Sequence, residues 1–163
     1  MIHNGSVRED TEIIALLFHV FVAEGYTDRS IAERIFVLTE LRKRGEIILA
    51  RSTTDRQLLG MIIFVRPTSP ARQVAEVDEA EIHLLAVCPE ARSQGIASSL
   101  ILACEQRAIL YGYSKIVLST QQTMKSAHRL YEKLGYRRNN VRNWSRRGTD
   151  KIFYVYEKFL GLA

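Results

Sequence analysis

Residues 81–97 read Glu-Ile-His-Leu-Leu-Ala-Val-Cys-Pro-Glu-Ala-Arg-Ser-Gln-Gly-Ile-Ala, and this stretch decides what kind of sheet the chain builds. The apolar run Ile82 to Val87 stops before Pro89, which has no N–H to give to a ladder and so ends the strand. A short turn follows, and Arg92-x-x-Gly95-x-Ala97 opens a helix. Gly95 permits a tight turn and a close approach of backbone to ligand. The first amides of a helix have no internal partner and carry partial positive charge, so this helix start suits a phosphate. One glycine led by an arginine is not the three-glycine dinucleotide fingerprint, and no Gly-Lys-Ser/Thr closes the run as in a P-loop.

Residues 123–136 form a second block, Thr-Met-Lys-Ser-Ala-His-Arg-Leu-Tyr-Glu-Lys-Leu-Gly-Tyr. Ala127, Leu130, Tyr131 and Leu134 share one face at helical spacing, Thr123 can cap the start, and Gly135 supplies a left-handed end. Together the two blocks resemble the GNAT superfamily of N-acetyltransferases. Arg92, Gly95 and Ala97 match its Gln/Arg-x-x-Gly-x-Gly/Ala signature, and Ala127 to Tyr136 match its Ala-x-x-Leu-Tyr-Glu-Lys-Leu-Gly-Phe/Tyr helix. In order and spacing of elements the resemblance runs from about Ile47 to Phe159.

The resemblance implies a mixed α/β fold, with a mostly antiparallel central sheet flanked by about four helices, in a single domain over residues 1–163. It implies acetyl-CoA as acetyl donor. The pantetheine arm would lie along Leu85, Ala86 and Val87 as an extra strand, with the phosphates on Arg92, Ser93, Gln94, Gly95, Ile96, Ala97 and Ser98. Tyr131 sits where many members keep the acid that protonates the departing thiolate. A tyrosine is also an uncommon choice for a purely apolar slot, because its hydroxyl needs a partner when buried.

Acetyl transfer to an amine also calls for a base, and Glu81 and His83 are the candidates. Strand alternation puts both on one face, together with Leu85 and Val87. Glu81 is preferred, on the expectation that burial raises its pKa toward neutrality, with His83 as a second link in a proton path. Met124 stands where the family usually has an asparagine. Ser119 stands where the branch that acetylates protein N-termini tends to keep a glutamate.

Along the rest of the chain, Ser6 to Glu9 reads as a short strand and Ile13 to Val22 as a buried helix. Ile31, Ile35, Leu38 and Leu41 form the stripe of a second helix, capped by Thr27 or Asp28 and ended by Gly45. Ile47 to Ala50 and Leu58 to Val65 read as strands, Thr68 to Asp78 as a loop, Gln94 to about Leu110 as a helix and Ile116 to Ser119 as a strand. The helix of the second block is placed over Thr123 to Leu134. The last two strands are placed at Tyr136 onward and at Ile152 to Phe159.

The 163 residues are 47% hydrophobic and 25% charged, ordinary for a globular domain with its own core. The run Ile13 to Val22 is too short to span a bilayer, and no basic leader precedes an apolar run at the N-terminus, so neither membrane nor secretion is expected. The two cysteines, Cys88 and Cys104, suggest no disulfide framework and no nucleophile or metal site, and a cytoplasmic protein is expected. The net charge of +5 suits CoA phosphates as well as nucleic acid.

The leading reading is an acetyl-CoA-dependent N-acetyltransferase acting on a primary amine of a small molecule or a protein, by direct attack in a ternary complex. Homodimerisation is left open. A non-catalytic acyl-CoA-binding module comes second. A basic nucleic-acid-binding domain using the arginine-rich segment Arg137 to Arg147 is the weakest reading, since a solvated hairpin accounts for that segment. The excess of arginine argues against a polycationic acceptor.

Overall fold

Near-continuous apolar runs build strands that are buried on both faces, and here they form the middle of one sheet. The structure, a computed structural model, describes residues 1–161. Strands β1 (Ile2–Asn4), β2 (Glu46–Arg51), β3 (Leu58–Val65), β4 (Glu79–Val87), β5 (Lys115–Gln121), β6 (Arg137–Arg138), β7 (Trp144–Ser145) and β8 (Ile152–Phe159) make an eight-stranded sheet. Its order is β1-β2-β3-β4-β5-β8-β6, with β7 also paired to β8. Every pairing is antiparallel except β4 with β5. A parallel pair needs a long crossover, and the helix that opens after Gly95 supplies it.

Five α-helices among the described residues cover the sheet: α1 (Asp10–Leu17), α2 (Arg29–Ile35), α3 (Leu38–Arg44), α4 (Ile96–Leu110) and α5 (Lys125–Lys133). On one face, Ile13, Leu17 and Leu41 pack against Leu49, Met61 and Ile63. On the other, Leu100, Ile101, Cys104 and Tyr131 pack against Ile48, Ile62, Ile82 and Leu118. The α5 face expected from Ala127, Leu130, Tyr131 and Leu134 does turn to this second core. The mixed, mostly antiparallel sheet implied by the two motifs is therefore present, with five helices instead of about four.

Several local expectations are corrected. Ser6 to Glu9 is not a strand but a capping-box turn, in which the Ser6 amide and hydroxyl both bond to the Glu9 carboxylate, at 2.7 and 3.0 Å. The first strand is instead Ile2–Asn4. The helix expected over Ile13 to Val22 changes to π geometry across Phe18–Val22. The second expected helix is broken at Phe36 into α2 and α3. That break turns Phe36 inward, 4% exposed, against Phe18 and Phe21 at ring-centroid distances of 5.8 Å, a gain the aliphatic stripe alone does not reveal. Gly45 follows α3 in an extended conformation, and α5 starts after Met124 without the Thr123 side-chain cap.

Candidate active site

The site is built where β4 stops following a regular ladder. Ile63, Phe64 and Val65 pair with His83, Ile82 and Glu81, whereas Gly60 and Met61 pair with Val87 and Ala86, so β4 carries one extra residue. The bulge falls at Leu84, whose φ of 50° is an outlier for a bulky side chain. On the other side, β4 pairs with β5 only from Glu79↔Lys115 to Ile82↔Leu118, and beyond that the two strands part. The Cys88 amide bonds to the Leu59 carbonyl at 2.8 Å. By alternation Ala86 also turns its backbone to β3, which leaves the backbone groups of Leu85 and Val87 facing the gap.

The bulge corrects the expected alternation. His83 and Leu84 both face the α1–α3 side, and from there the parity is reversed. Leu85 and Val87 pack on the α4–α5 side, away from the face that carries Glu81 and His83.

The parting opens a cleft of about 1100 Å³. At its α4 end, Gly95 caps the helix with φ 78° and Ser93 is held at φ 62°, so the loop curls and aims backbone amides outward. Arg92, Ser93, Gly95, Ile96, Ala97 and Ser98 line the cleft. Gln94 does not, because its side-chain amide turns back to the Glu90 carbonyl at 3.3 Å. Ala86 is a core residue, 1% exposed, and is likewise absent from the lining, while Leu85 and Val87 are part of it. The Arg92 guanidinium is paired with Glu24 at 2.5 Å, so the anion-binding capacity of this loop rests mainly on backbone N–H groups.

Glu81 is fully buried and does not touch the cleft. Its Oε2 accepts bonds from the amides of Gln73, Val74 and Ala75 at 2.9, 3.3 and 3.2 Å. Burial alone would raise its pKa, but the His83 ring and these amides outweigh it and hold the carboxyl below the ordinary range. The expected shift toward neutrality is therefore reversed. An ionised carboxylate only accepts, so His83 Nε2 donates to Glu81 Oε1 at 2.9 Å. His83 lines the cleft, and its Nδ1 is buried without a hydrogen-bond partner among the described residues.

Tyr131, on α5, lines the opposite wall and is 6% exposed. Burial, then the neighbouring Tyr156, push its phenol up, so it keeps its proton at any physiological pH. Met124 lines the cleft at the foot of α5, and Ser119 Oγ accepts from Trp144 Nε1 at 3.0 Å.

The arginine-rich segment divides. Arg142 is bonded to Glu79 and Glu157 and to the Val74 carbonyl, which makes it a strut between β4, β8 and the preceding loop. Arg146 lies over the Phe153 ring at 5.4 Å and faces the cleft. Arg44 and Gln73 also line the cleft and were not singled out from the sequence. The one available signal, a basic run before Gly45, reads equally as charge placed to suit a helix C-terminus.

The profile of the "Acetyltransferase (GNAT) family" matches residues 24–136. The chain belongs to this family. This is the family that the two motifs resembled. N-acetylaspartate synthetase of Danio rerio is 39% identical over 69 residues, which is 42% of this chain and 24% of that protein. The rat protein of the same name is 37% identical over 67 residues, 41% of this chain and 22% of its own. The chain thus spans less than a quarter of the length of the curated relatives it matches. In overall fold, a GNAT-family acetyltransferase from Staphylococcus aureus Mu50 superposes with TM-score 0.76 at 16% identity, covering 99% of each chain. No helix among the described residues is long and apolar enough to cross a membrane.

Proposed function

We propose that this GNAT chain, as one domain over residues 1–163, transfers the acetyl group of acetyl-CoA to a primary amine by direct attack in a ternary complex. The observation that carries the reading is the parting of β4 from β5 at the Leu84 bulge, into a cleft with His83 on one wall and Tyr131 on the other. The residues fit the donor. The free backbone groups of Leu85 and Val87 suit the amides of a pantetheine arm, and the curled loop from Arg92 to Ser98 suits a pyrophosphate. A Salmonella typhimurium protein whose structure holds its cofactor acetyl-CoA shares this fold at TM-score 0.72 and 14% identity, covering 100% of this chain and 95% of its own. Acetyl-CoA brings an activated thioester, and the protein supplies orientation and proton handling.

His83 Nδ1 takes the proton of the incoming amine, directly or through water, while Glu81 fixes the opposite tautomer and stabilises the imidazolium. Glu81 is thus a positioning residue and His83 the base, the reverse of the order preferred from the sequence. An N–H left free by the bulge polarises the acetyl carbonyl, and Tyr131 holds a proton for the leaving sulfur. Cys88 and Cys104 are free thiols, which suits a reducing cytoplasm.

Acetyl-CoA in excess should raise the melting temperature. At about 100 times its dissociation constant it adds roughly 2.7 kcal/mol. Gly95→Glu, which strains a left-handed position and sets a carboxylate at the helix start, should abolish the shift. Stabilisation without thiol release across an amine panel would return the chain to a CoA-binding module. No stabilisation of the native protein at millimolar acetyl-CoA would remove the reading altogether.

A further inference from the structure

Two guanidinium groups enter the same cleft from different parts of the chain. Arg44 ends α3 just before β2, and the glycine after it packs on Phe64 and Val65. Val65 pairs with Glu81, so Arg44 stands beside the face of β4 that carries Glu81 and His83. Arg146 comes from the β7–β8 hairpin and rests over Phe153, which pairs with Gln121 where β5 leaves the sheet. The two therefore reach, from opposite leaves of the sheet, the cleft that His83 lines.

Neither guanidinium has a carboxylate within ion-pair distance among the described residues. Glu40, the acid that acts on Arg44, is itself bonded to Lys43 at 2.8 Å. Burial first, and then the charge of Arg146, hold Arg44 below the ordinary arginine range. Arg44 is half-buried and Arg146 exposed, and an anion held between them would relieve their repulsion. The acids on the cleft wall do not fill that place. Glu24 is held by Arg92, and neither Asp28 nor Asp150 forms an ion pair with Arg44 or Arg146.

Resting on the acetyl-transfer reading, we infer that the acceptor is an amine carrying a carboxylate, held between Arg44 and Arg146 while its nitrogen faces His83 Nδ1. Both arginines offer planar forks suited to a carboxylate. The same pair repels polycationic acceptors, so the site selects by charge as well as by shape.

The test compares free amino acids (leucine, phenylalanine and aspartate) with their α-carboxamides as acceptors for the full chain. Amidation removes the anion and also makes the amine less basic, which by itself favours the amide, so a preference for the acid is a demanding result. The expected kcat/KM ratio of acid to amide is about 10 to 100, the range of a charge-assisted hydrogen bond. Arg44→Gln and Arg146→Gln should each bring that ratio toward one, mainly through KM, while leaving the acetyl-CoA melting shift intact. Arg44→Lys, which keeps the charge, should recover part of it.

Amides turned over as well as acids, or a ratio indifferent to both arginines, would overturn the inference while leaving acetyl transfer standing. If no acceptor on the panel turns over, calorimetry with N-acetylated amino acids and their amides in the presence of CoA decides the matter. Binding of the acids alone supports the pair, and equal or absent binding refutes it. Failure of acetyl-CoA to stabilise the native protein would remove the underlying reading, and that outcome is read separately.

Discussion

On the proposed reading a primary amine would reach this cleft mostly as the ammonium ion, so the group it meets must be able to accept a proton at neutral pH. Glu81 is poorly placed for that task, since its carboxylate is saturated by three amides and one imidazole and stays ionised. His83→Gln should remove the acidic limb of the kcat/KM profile and lower the rate by about 10²–10⁴. Glu81→Gln should act differently. Without the carboxylate the ring loses the acceptor that fixes its tautomer, so the rate should fall by less than in His83→Gln. A stopped pH series on the two variants separates these outcomes, and an unchanged limb in His83→Gln would give the proton to solvent. Both residues were legible in the sequence, because two polar groups two apart in an apolar strand must share a face. That Glu81 is saturated while His83 lines the cleft was not, because it is set by amides from a loop six to eight residues upstream of Glu81.

At the scale of elements, the strand that matters is held in its irregular shape by its neighbours. Gly60 on β3 lies opposite Val87, and a methyl group there would sit 2.9 Å from the Ala86 carbonyl oxygen and 3.1 Å from both Ile96 Cγ2 and Leu100 Cδ1. Its role is close approach, the packing of α4 onto the sheet next to the bulge. Gly60→Ala should therefore push the first turn of α4 away from β4. It should cost about 1–3 kcal/mol of stability and weaken acetyl-CoA binding together, read by denaturant titration and by calorimetry. Intact affinity in a destabilised variant would uncouple α4 seating from the site. The long periodic elements, α4, α5, β3 and β8, were legible because their apolar patterns span several turns or residues. The breaks were not. The one in the second helix answers to Phe18 and Phe21, and the bulge at Leu84 answers to the register of β3, contacts that a local pattern does not contain.

At the scale of the whole molecule, the turn after β1 and helix α1 are tied to β2 by charge. Arg51 is bonded to Glu9 at 2.9 Å and also to Glu12. Burial would raise the Glu9 carboxyl, but Ser6, His3 and Arg51 together lower it from 4.5 to about 2. A carboxyl held down in this way adds stability above its ordinary pKa, and that contribution is lost as pH falls through the lowered value. Glu9→Gln should thus lower the melting temperature at pH 6 to 7, and the gap from the native protein should close between about pH 4.5 and 2. A gap that does not change with pH would mean that Glu9 acts through packing alone. The chain's second ion cluster, Arg142 and Lys115 with Glu79 and Glu157, braces β4 against β8 below the point where the strands divide.

That division has a mechanical side. The sheet consists of two leaves, β1–β4 and β5–β8, joined along a seam of only four residue pairs. His83 rides on one leaf, and Tyr131 follows from the other. The angle at the seam therefore sets how far apart His83 and Tyr131 stand, and a pantetheine arm lying between the leaves, as proposed, would bridge them as a further strand. On the proposed reading the donor would then serve as a structural member of the protein it reacts in.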